Sequence, residues 1–162
     1  MELEFFLHSH HIDLALMTET HLVNSKQLRR IANYKMYSCC HPSGHRRGGS
    51  LVRGKNELVH SDVDGAYVTD SIQLSLAVFT QLFGAEVKIG SVYCSPSYLI
   101  QKNDSIEAFE VCGERWLIGG DLNSKHRMWG SRLISPRARV QIEAIDEMNC
   151  NIAATQFADK LA

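Results

Sequence analysis

The segment RWLIGGDLN, residues 115–123, predicts a β-strand followed by candidate functional residues. Its first four residues are largely apolar and have the length of a short buried strand. The two glycines that follow favour a change of backbone direction, so the strand should end there. Asp121 and Asn123 would then lie at the carboxyl end of a strand. We therefore expect a β-sheet with functional side chains at one edge.

Other predicted strands end in polar residues of the same kind. The apolar run IDLALMT, residues 12–18, is typical of a buried strand, and Glu19 follows it directly. Apolar and polar residues alternate over 67–79 and again over 86–94, and Gly84 between them indicates a β-hairpin. The side chains expected to meet at one rim of these strands, called the rim residues below, are Glu19, Tyr93, Asp121 and Asn123.

The remaining pattern adds helices and short strands to this β core. Apolar residues at helical spacing predict a helix over the first ten or so residues, and Ser135 with Pro136 marks the start of a helix that ends near Asn149. The other expected elements are helices from Asn24 or Ser25 through Tyr34 and over 105–112, strands over 37–40, after Gly48-Gly49 and over 151–155, and a turn at Pro42-Ser43-Gly44. Helices mixed with antiparallel strands indicate an α/β sandwich, in which helices flank a β core.

Length and composition describe one ordinary globular domain. The chain has 162 residues, of which 44% are hydrophobic and 22% charged, and this composition excludes disordered and low-complexity proteins. No apolar run approaches the roughly 18 residues needed to span a bilayer, so we expect no membrane partner. Five cysteines at irregular spacing, without a CxxC pair, favour a reducing intracellular setting over a disulfide framework or a zinc ribbon.

The net charge of -1 conceals an alternation of basic and acidic blocks. Residues 20–56 carry 8 Lys and Arg and no acidic residue, and residues 115–139 carry 6 Lys and Arg against one Asp. If the fold brings these blocks together, they form a positive surface suited to a phosphate-rich partner. The alternative is that these cations simply solvate helices and loops.

The rim residues have the chemistry of a metal-dependent phosphodiester hydrolysis site. A hard cation such as Mg²⁺ takes carboxylate oxygens and keeps positions open for water and a phosphate oxygen, which suits Glu19 with Asp121 beside it. Asp121 could also orient or deprotonate the attacking water, while the Asn123 amide and the Tyr93 hydroxyl donate to the phosphate as charge builds. The alternative for either carboxylate is an ordinary helix-capping or loop residue.

The string GGDLNSKHRMWGSRL, residues 119–133, resembles the GDxN-to-WGS signature of the endonuclease domains of Jockey-like non-LTR retrotransposons. Three further segments resemble that family in the same order: ALMTETHL at 15–22, RGGS at 47–50 and VYCSP at 92–96. The resemblance runs from residue 3 to about residue 155. It implies the deoxyribonuclease I-like fold of the endonuclease/exonuclease/phosphatase superfamily, two packed β-sheets flanked by helices.

This resemblance also implies a role for each of the rim residues. Glu19, with Asp121 beside it, matches the family's ligand for Mg²⁺ or Mn²⁺. Asp121 also matches the water-activating aspartate, Asn123 the phosphate-contacting asparagine and Tyr93 the phosphate-orienting tyrosine. The implied reaction is hydrolysis of a DNA phosphodiester that leaves a 3'-hydroxyl, which in these elements primes reverse transcription.

The basic residues gain a function from the same resemblance, because they would neutralise DNA phosphates that flank the cleaved bond. The candidate DNA-binding residues are His41, Arg46, Arg47, Lys125, His126, Arg127 and Arg132. Trp129 and Ser131 match positions with a structural role, and we expect Trp129 to pack the loop that carries Asp121. The family further implies a reverse transcriptase domain in the parent polyprotein and action in the nucleus.

Residues 1–162 are interpreted as one such domain in which two parts of the family pattern are missing. The family's first strand ends in a catalytic asparagine, yet no Asn precedes Asn24, and the closing Ser-Asp-His motif is missing, since no histidine follows His126. We therefore expect residues 1–162 alone to be poorly soluble and to nick DNA no faster than background. Three alternatives stay open: another phosphodiesterase or phosphatase of the superfamily, a catalytically inactive nucleic-acid-binding remnant, and a degenerate reading frame without a stable product.

Overall fold

The computed structural model describes residues 2–24, 26, 30–63, 66–82 and 84–153, which form two β-sheets with helices outside them. The strands of this part are β1 (Leu14–Thr18), β2 (Tyr34–Cys39), β3 (Ser50–Lys55), β4 (His60–Asp62), β5 (Tyr67–Val68), β6 (Ile72–Leu82), β7 (Ala85–Cys94) and β8 (Trp116–Asp121). The helices are α1 (Glu2–Ser9), α2 (Lys102–Glu110) and α3 (Pro136–Glu147), with a short 3₁₀ turn at Arg127–Trp129.

The order of the strands brings the predicted site to one edge. The first sheet has the order β1-β3-β2 and is antiparallel throughout. The second has the order β4-β6-β7-β8, and β5 also pairs with β6. β7 and β8 run parallel, so Cys94 and Asp121 close their strands at the same edge. Tyr93 lies directly opposite Asp121 in this register.

Apolar side chains fill the space between the sheets and beneath the helices. Val52 of the first sheet packs with Phe79 and Ile89 of the second, and all three are buried. On the other face of the second sheet, Leu74 and Val92 belong to a cluster that includes residues of α2. Each such large side chain stabilises the fold by about 1.5–3 kcal/mol when fully buried. The second sheet is therefore covered on both faces.

Small hydroxyl side chains take the place of apolar ones where the two sheets meet near β1. Ser50, Ser75 and Ser91 are buried, and Ser50 Oγ donates to Ser75 Oγ at 3.1 Å. Ser91 Oγ donates to the main-chain oxygen of Met17 at 2.8 Å, which joins β7 to β1 across the interface. Because these side chains are small and their polar atoms are paired, the end of β1 can approach the end of β7 without leaving unpaired groups.

Most elements expected from the sequence are present. The predicted hairpin is confirmed as β6 and β7, although its first run, 67–79, is divided between β5 and β6. The predicted strand that leads into Asp121 is β8. The predicted start of α3 is confirmed as well, since Ser135 Oγ accepts a hydrogen bond from Ala138 N at 3.2 Å. The other expected helices and strands within the described residues, apart from two discussed next, have bounds that differ by at most three residues.

The helix expected through Tyr34 is wrong at its end. Tyr34 begins β2 instead, and its ring packs in a buried cluster with Leu7 of α1 and Ile31. Burial of this tyrosine beneath α1 decides its conformation, because tertiary packing outweighs the weak helical preference of the local sequence. Residues 25 and 27–29, which belong to the same expected helix, lie outside the described residues.

The strand expected over 151–155 is also wrong where it can be checked. Residues 151–153 have no regular structure, and 154 and 155 lie outside the described residues. The sequence missed β4, whose residues His60–Asp62 form a strand by pairing with β6 and have no apolar pattern of their own. None of the helices in the described ranges is long and apolar enough to cross a membrane.

Candidate active site

The structure brings the rim residues together at the carboxyl edge of the β7-β8 pair. Glu19 follows β1, and Asn123 lies two residues past the end of β8. Both have left-handed backbone conformations, with φ of 53° for Glu19 and 48° for Asn123. Residues other than glycine adopt this conformation rarely and at a cost of about 1–2 kcal/mol, so the surrounding contacts must hold them there.

Tyr93 lies at the centre of the group and is only 6% exposed. The Glu19 carboxylate is close enough to the Tyr93 hydroxyl to accept a hydrogen bond, and the negative charge of Asp121 also acts on this hydroxyl. Burial, followed by the bond to Glu19 and the charges of Glu19 and Asp121, raises the pKa of Tyr93 to about 12, although the positive charge of Arg137 acts in the opposite direction. The hydroxyl therefore stays protonated at neutral pH and serves as a donor.

Asp121 and Asn123 form one hydrogen-bonded unit. The main-chain N of Asn123 donates to Asp121 Oδ1 at 2.7 Å, and Asn123 Nδ2 donates to Asp121 Oδ2 at 3.2 Å. The same Nδ2 also donates to the main-chain oxygen of Cys94 at 3.0 Å. These bonds fix the direction of the Asp121 carboxylate, which is exposed to solvent, and attach the unit to the end of β7.

The RGGS loop packs directly against the ring of Tyr93. Gly48 has φ of +53°, and a Cβ there would lie 3.0 Å from Tyr93 Cε1. Its main-chain oxygen accepts a hydrogen bond from His21 N at 2.9 Å, so the loop also holds the segment that follows Glu19. Only glycine combines this backbone conformation with so close an approach. The double glycine therefore places Tyr93 and Glu19 side by side.

Sequence reasoning missed Gln73, which supports that loop from below. Gln73 is fully buried in β6, and its Oε1 accepts from Gly49 N at 3.2 Å. Its Nε2 donates to the main-chain oxygens of Thr69 at 2.6 Å and Asp70 at 3.3 Å. A glutamine within an alternating strand gives no local signal of this role, because its partners come from two separate loops.

The donor set at the rim fits a hard divalent cation. Glu19 and Asp121 are both exposed carboxylates close to Tyr93. Within the described ranges, no group of three or more His, Cys, Asp and Glu is placed to hold a metal ion. Two carboxylates with water at the remaining positions suit Mg²⁺ or Mn²⁺, whereas a structural zinc site needs four protein ligands.

Two basic loops, residues 45–47 and 125–132, lead to the rim residues by different routes. The first leads into Gly48, which touches Tyr93, and the second begins two residues after Asn123. The predicted DNA-binding residues with exposed side chains are Arg46, Arg47, Lys125, Arg127 and Arg132. Their placement is compatible with contact to phosphates on either side of the rim.

The two histidines among those candidates are placed differently. His41 is only 3% exposed, with Nδ1 2.8 Å from Ser43 Oγ and Nε2 3.8 Å from Asp70 Oδ1. It is therefore unsuited to contact DNA, and its inclusion in the basic surface is corrected. His126 Nδ1 accepts from Met128 N at 3.1 Å and caps the 3₁₀ turn. This bond makes His126 part of the architecture of the second basic loop.

Trp129 and Ser131 hold the same loop. Trp129 Nε1 donates to the main-chain oxygen of Ser124 at 3.2 Å, next to Asn123. Ser131 Oγ accepts from Leu133 N at 3.2 Å. The Trp129 bond connects the WGS part of the signature to the turn that carries the Asp121–Asn123 unit, whereas the Ser131 bond stays within its own loop.

The chain resembles known proteins over nearly its whole length. Residues 87–159 match the family described as Endonuclease-reverse transcriptase. In Drosophila melanogaster, the RNA-directed DNA polymerase from mobile element jockey is 34% identical over 154 residues, and the probable RNA-directed DNA polymerase from transposon BS is 32% identical over 156 residues. Each alignment covers 95% of this chain but only 16% and 17% of those proteins, so the chain spans about a sixth of their length.

Solved structures share the architecture. The endonuclease domain of TRAS1, a telomere-specific non-LTR retrotransposon, has a TM-score of 0.71 at 19% identity and covers 95% of this chain and 68% of that one. The AP endonuclease LMAP from Leishmania major has a TM-score of 0.68 at 12% identity, over 91% of this chain and 60% of that one. The expected fold, a deoxyribonuclease I-like α/β sandwich with two sheets and outer helices, is confirmed by these likenesses.

Proposed function

We propose that this chain belongs to the endonuclease domains of Jockey-like non-LTR retrotransposons and that, as part of a longer protein, it cuts one strand of duplex DNA by metal-dependent hydrolysis. One observation carries this proposal: the buried Tyr93 interacts through its hydroxyl with Glu19 and is the register partner of Asp121. Two carboxylates and the Asn123 amide thus share one solvent-facing edge. This is the set of groups that hydrolysis of a phosphodiester requires.

In this proposal, Asp121 accepts a proton from the attacking water as the water oxygen bonds to phosphorus. The bond from phosphorus to the 3'-oxygen breaks, and this oxygen takes a proton from solvent and leaves as the 3'-hydroxyl. Both Nδ2 protons of Asn123 are used in the structure, one by Cys94 and the other by Asp121 Oδ2. For the amide to donate to a phosphate oxygen, the longer bond to Asp121 at 3.2 Å is the one that must be exchanged. When the phosphate replaces Asp121 as the acceptor of this Asn123 proton, Asp121 Oδ2 becomes free to accept the proton of the water. Substrate binding therefore also prepares Asp121 to act as the base.

Glu19 and Asp121 are the residues that would hold Mg²⁺ or Mn²⁺. A bound divalent cation supplies Lewis-acid stabilisation of the charge that develops on the phosphate oxygens. The Tyr93 hydroxyl orients the Glu19 carboxylate through its hydrogen bond and excludes water from behind it, since the ring is buried.

The metal part of the proposal can be tested without any nicking. Mn²⁺ added to residues 1–162 should broaden backbone NMR signals near Glu19 and Asp121 first, because a paramagnetic ion relaxes nuclei close to it. Glu19→Gln should weaken the broadening caused by Mn²⁺. The matched control, Glu57→Gln, changes a glutamate outside the rim residues and should leave the broadening unchanged. Broadening that begins elsewhere, or that survives Glu19→Gln, would refute this cation site.

The cleavage itself is tested on supercoiled plasmid. Residues 1–162 are joined to the first strand and closing segment of a family endonuclease, and the chimera is incubated with Mg²⁺ or with EDTA. We expect conversion of supercoiled to open-circular plasmid with Mg²⁺ and none with EDTA. A folded chimera that binds DNA without nicking it would instead indicate the inactive nucleic-acid-binding remnant, and nicking in EDTA would exclude the metal-dependent mechanism.

The relatives suggest the setting in which such a cut would be used. They are described as RNA-directed DNA polymerases, so we propose a reverse transcriptase domain in the parent polyprotein. The nick would expose a 3'-hydroxyl that primes reverse transcription of the element RNA, and the site of action would be nuclear DNA. Extension of a labelled nick by the parent polyprotein, with the element RNA as template, is the measurement that tests this role.

Lys125→Ala is expected to weaken DNA binding and to lower its salt dependence by about one ion, because each lysine–phosphate contact releases about one counterion. Lys125 is exposed and begins the second basic loop. Fluorescence anisotropy at several salt concentrations gives the slope of log affinity against log salt. Lys102→Ala is the matched control, since Lys102 pairs with Glu147 at 2.7 Å on the helices. Equal slopes for Lys125→Ala and the unmodified chain would show that Lys125 does not contact a DNA phosphate.

A further inference from the structure

Arg137 is the second residue of α3, and its guanidinium reaches four main-chain carbonyl oxygens at the rim. Nη2 donates to the oxygens of Ser95 at 2.8 Å and Tyr98 at 2.6 Å. Nη1 makes longer contacts of 3.5 Å with the oxygens of Cys94 and Leu122. The planar fork of arginine donors suits such a convergent set, which a lysine ammonium cannot span.

These carbonyls belong to the backbone that carries the rim residues. Cys94 is the last residue of β7 and follows Tyr93, while Leu122 separates Asp121 from Asn123. The Cys94 oxygen that Arg137 contacts is also the acceptor of Asn123 Nδ2 at 3.0 Å. One guanidinium therefore fixes the ends of β7 and β8 relative to each other.

The position of Arg137 is not explained by the stability of its own helix. The first turn of a helix carries the positive end of the helix dipole, which favours acidic residues and disfavours a cation. α3 has no acidic residue in its first turn, and Arg137 is half-buried there. A cation that disfavours its own helix and loses solvent on burial must be stabilised by the groups it contacts. Those groups are the carbonyl oxygens at the rim.

We propose that Arg137 is a positioning residue for the endonuclease site, holding the Cys94 carbonyl so that the Asn123 amide is aimed at the scissile phosphate. This role rests on the proposed function. When substrate replaces the bond from Asn123 to Asp121, the bond to the Cys94 oxygen is the one that keeps the amide in place. Arg137 also places a positive charge near the hydroxyl of Tyr93.

The test follows the side-chain amide of Asn123 by NMR in the full 162-residue chain. In the unmodified protein its two Nδ2 protons should be protected from solvent exchange by the bonds to Cys94 and Asp121. In Arg137→Gln they should exchange about tenfold faster, the equivalent of one lost hydrogen bond. Arg137→Lys keeps the charge without the fork and should give an intermediate rate. Arg139→Gln, an exposed arginine two residues further along α3, should leave the rate unchanged.

A purely structural role would have a different signature. It would lower the melting temperature and shift signals throughout the core, with Asn123 affected no more than other residues. If Arg137→Gln does not fold, the exchange rate of the Asn123 amide in Arg137→Lys tests the proposal instead. Unchanged Asn123 exchange in the folded variants would overturn the proposal. In the nicking assay on the chimera, Arg137→Gln should lower kcat about tenfold with KM nearly unchanged, whereas failure of the unmodified chimera to nick would refute the proposed function and leave the NMR result valid.

Discussion

Asp121→Asn is expected to slow DNA nicking by a factor of about 10² or more while leaving DNA affinity nearly intact. The amide cannot accept a proton from water, yet it has the same shape, and its oxygen can still accept the hydrogen bond that Asn123 N donates at 2.7 Å. The variant should therefore have a lower kcat and a nearly unchanged KM. Plasmid nicking under single-turnover conditions, with DNA binding measured separately by anisotropy, separates the two quantities.

The control for this variant is Asp146→Asn, which makes the same chemical change at an exposed position in the last turn of α3. It removes one negative charge from the chain without altering the rim residues, so nicking should stay within a factor of about two. If Asp121→Asn nicks as fast as Asp146→Asn, Asp121 is not the base. A loss of DNA affinity equal to the loss of rate would assign Asp121 to substrate binding instead.

The Asp121–Asn123 unit could be predicted because its signals are local. An apolar strand, two glycines and two polar residues lie within nine consecutive positions. The strand continues through both glycines, which were expected to end it, and the turn begins only after Asp121. Glu19 and Tyr93 could be added because strands that end at the same edge place their last side chains close together. The structure agrees with this placement through the Tyr93–Glu19 bond and the Tyr93–Asp121 register.

The supports of the site could not be predicted, because their contacts join distant parts of the chain. Arg137 contacts the oxygens of Tyr98 and Cys94, which lie 39 and 43 residues earlier. In the sequence, SPRAR indicates only a helix start, and Arg137 and Arg139 look alike. Gln73 holds the RGGS loop from a strand that looks like any other alternating strand.

The same reason accounts for the wrong predictions. His41 belongs to a basic block by sequence, yet it is buried against Ser43 and near Asp70. The sequence showed that its neighbours are basic but could not show that its side chain is buried. Tyr34 follows a predicted helix start at Asn24 or Ser25, yet it packs with Leu7 and Ile31 and begins a strand. Periodicity describes one element at a time, whereas burial depends on the elements that pack against it.

Gly120→Ala is expected to lower the free energy of unfolding by about 3 kcal/mol or more, because the added methyl group collides with backbone. A Cβ on Gly120 would overlap the carbonyl oxygen of Val92 and lie 2.8 Å from its carbonyl carbon. Val92 is the partner of Gly120 in the parallel β7-β8 register, so neither strand can yield without separating from the other. Separation would also move Asp121 away from Tyr93, and nicking should fall together with stability.

Gly44→Ala is the control that separates the overlap of the added methyl group from the cost of a positive φ. Gly44 also has a positive φ, of +70°, but no atom lies within 4 Å of a Cβ built there. Gly44→Ala should therefore cost only the conformational penalty, about 1 kcal/mol. Urea unfolding followed by circular dichroism compares the two variants in the same chain. An equal loss of stability in both would mean that β7 and β8 can part locally at little cost, and the rigid strand pair on which the placement of Asp121 depends would have to be abandoned.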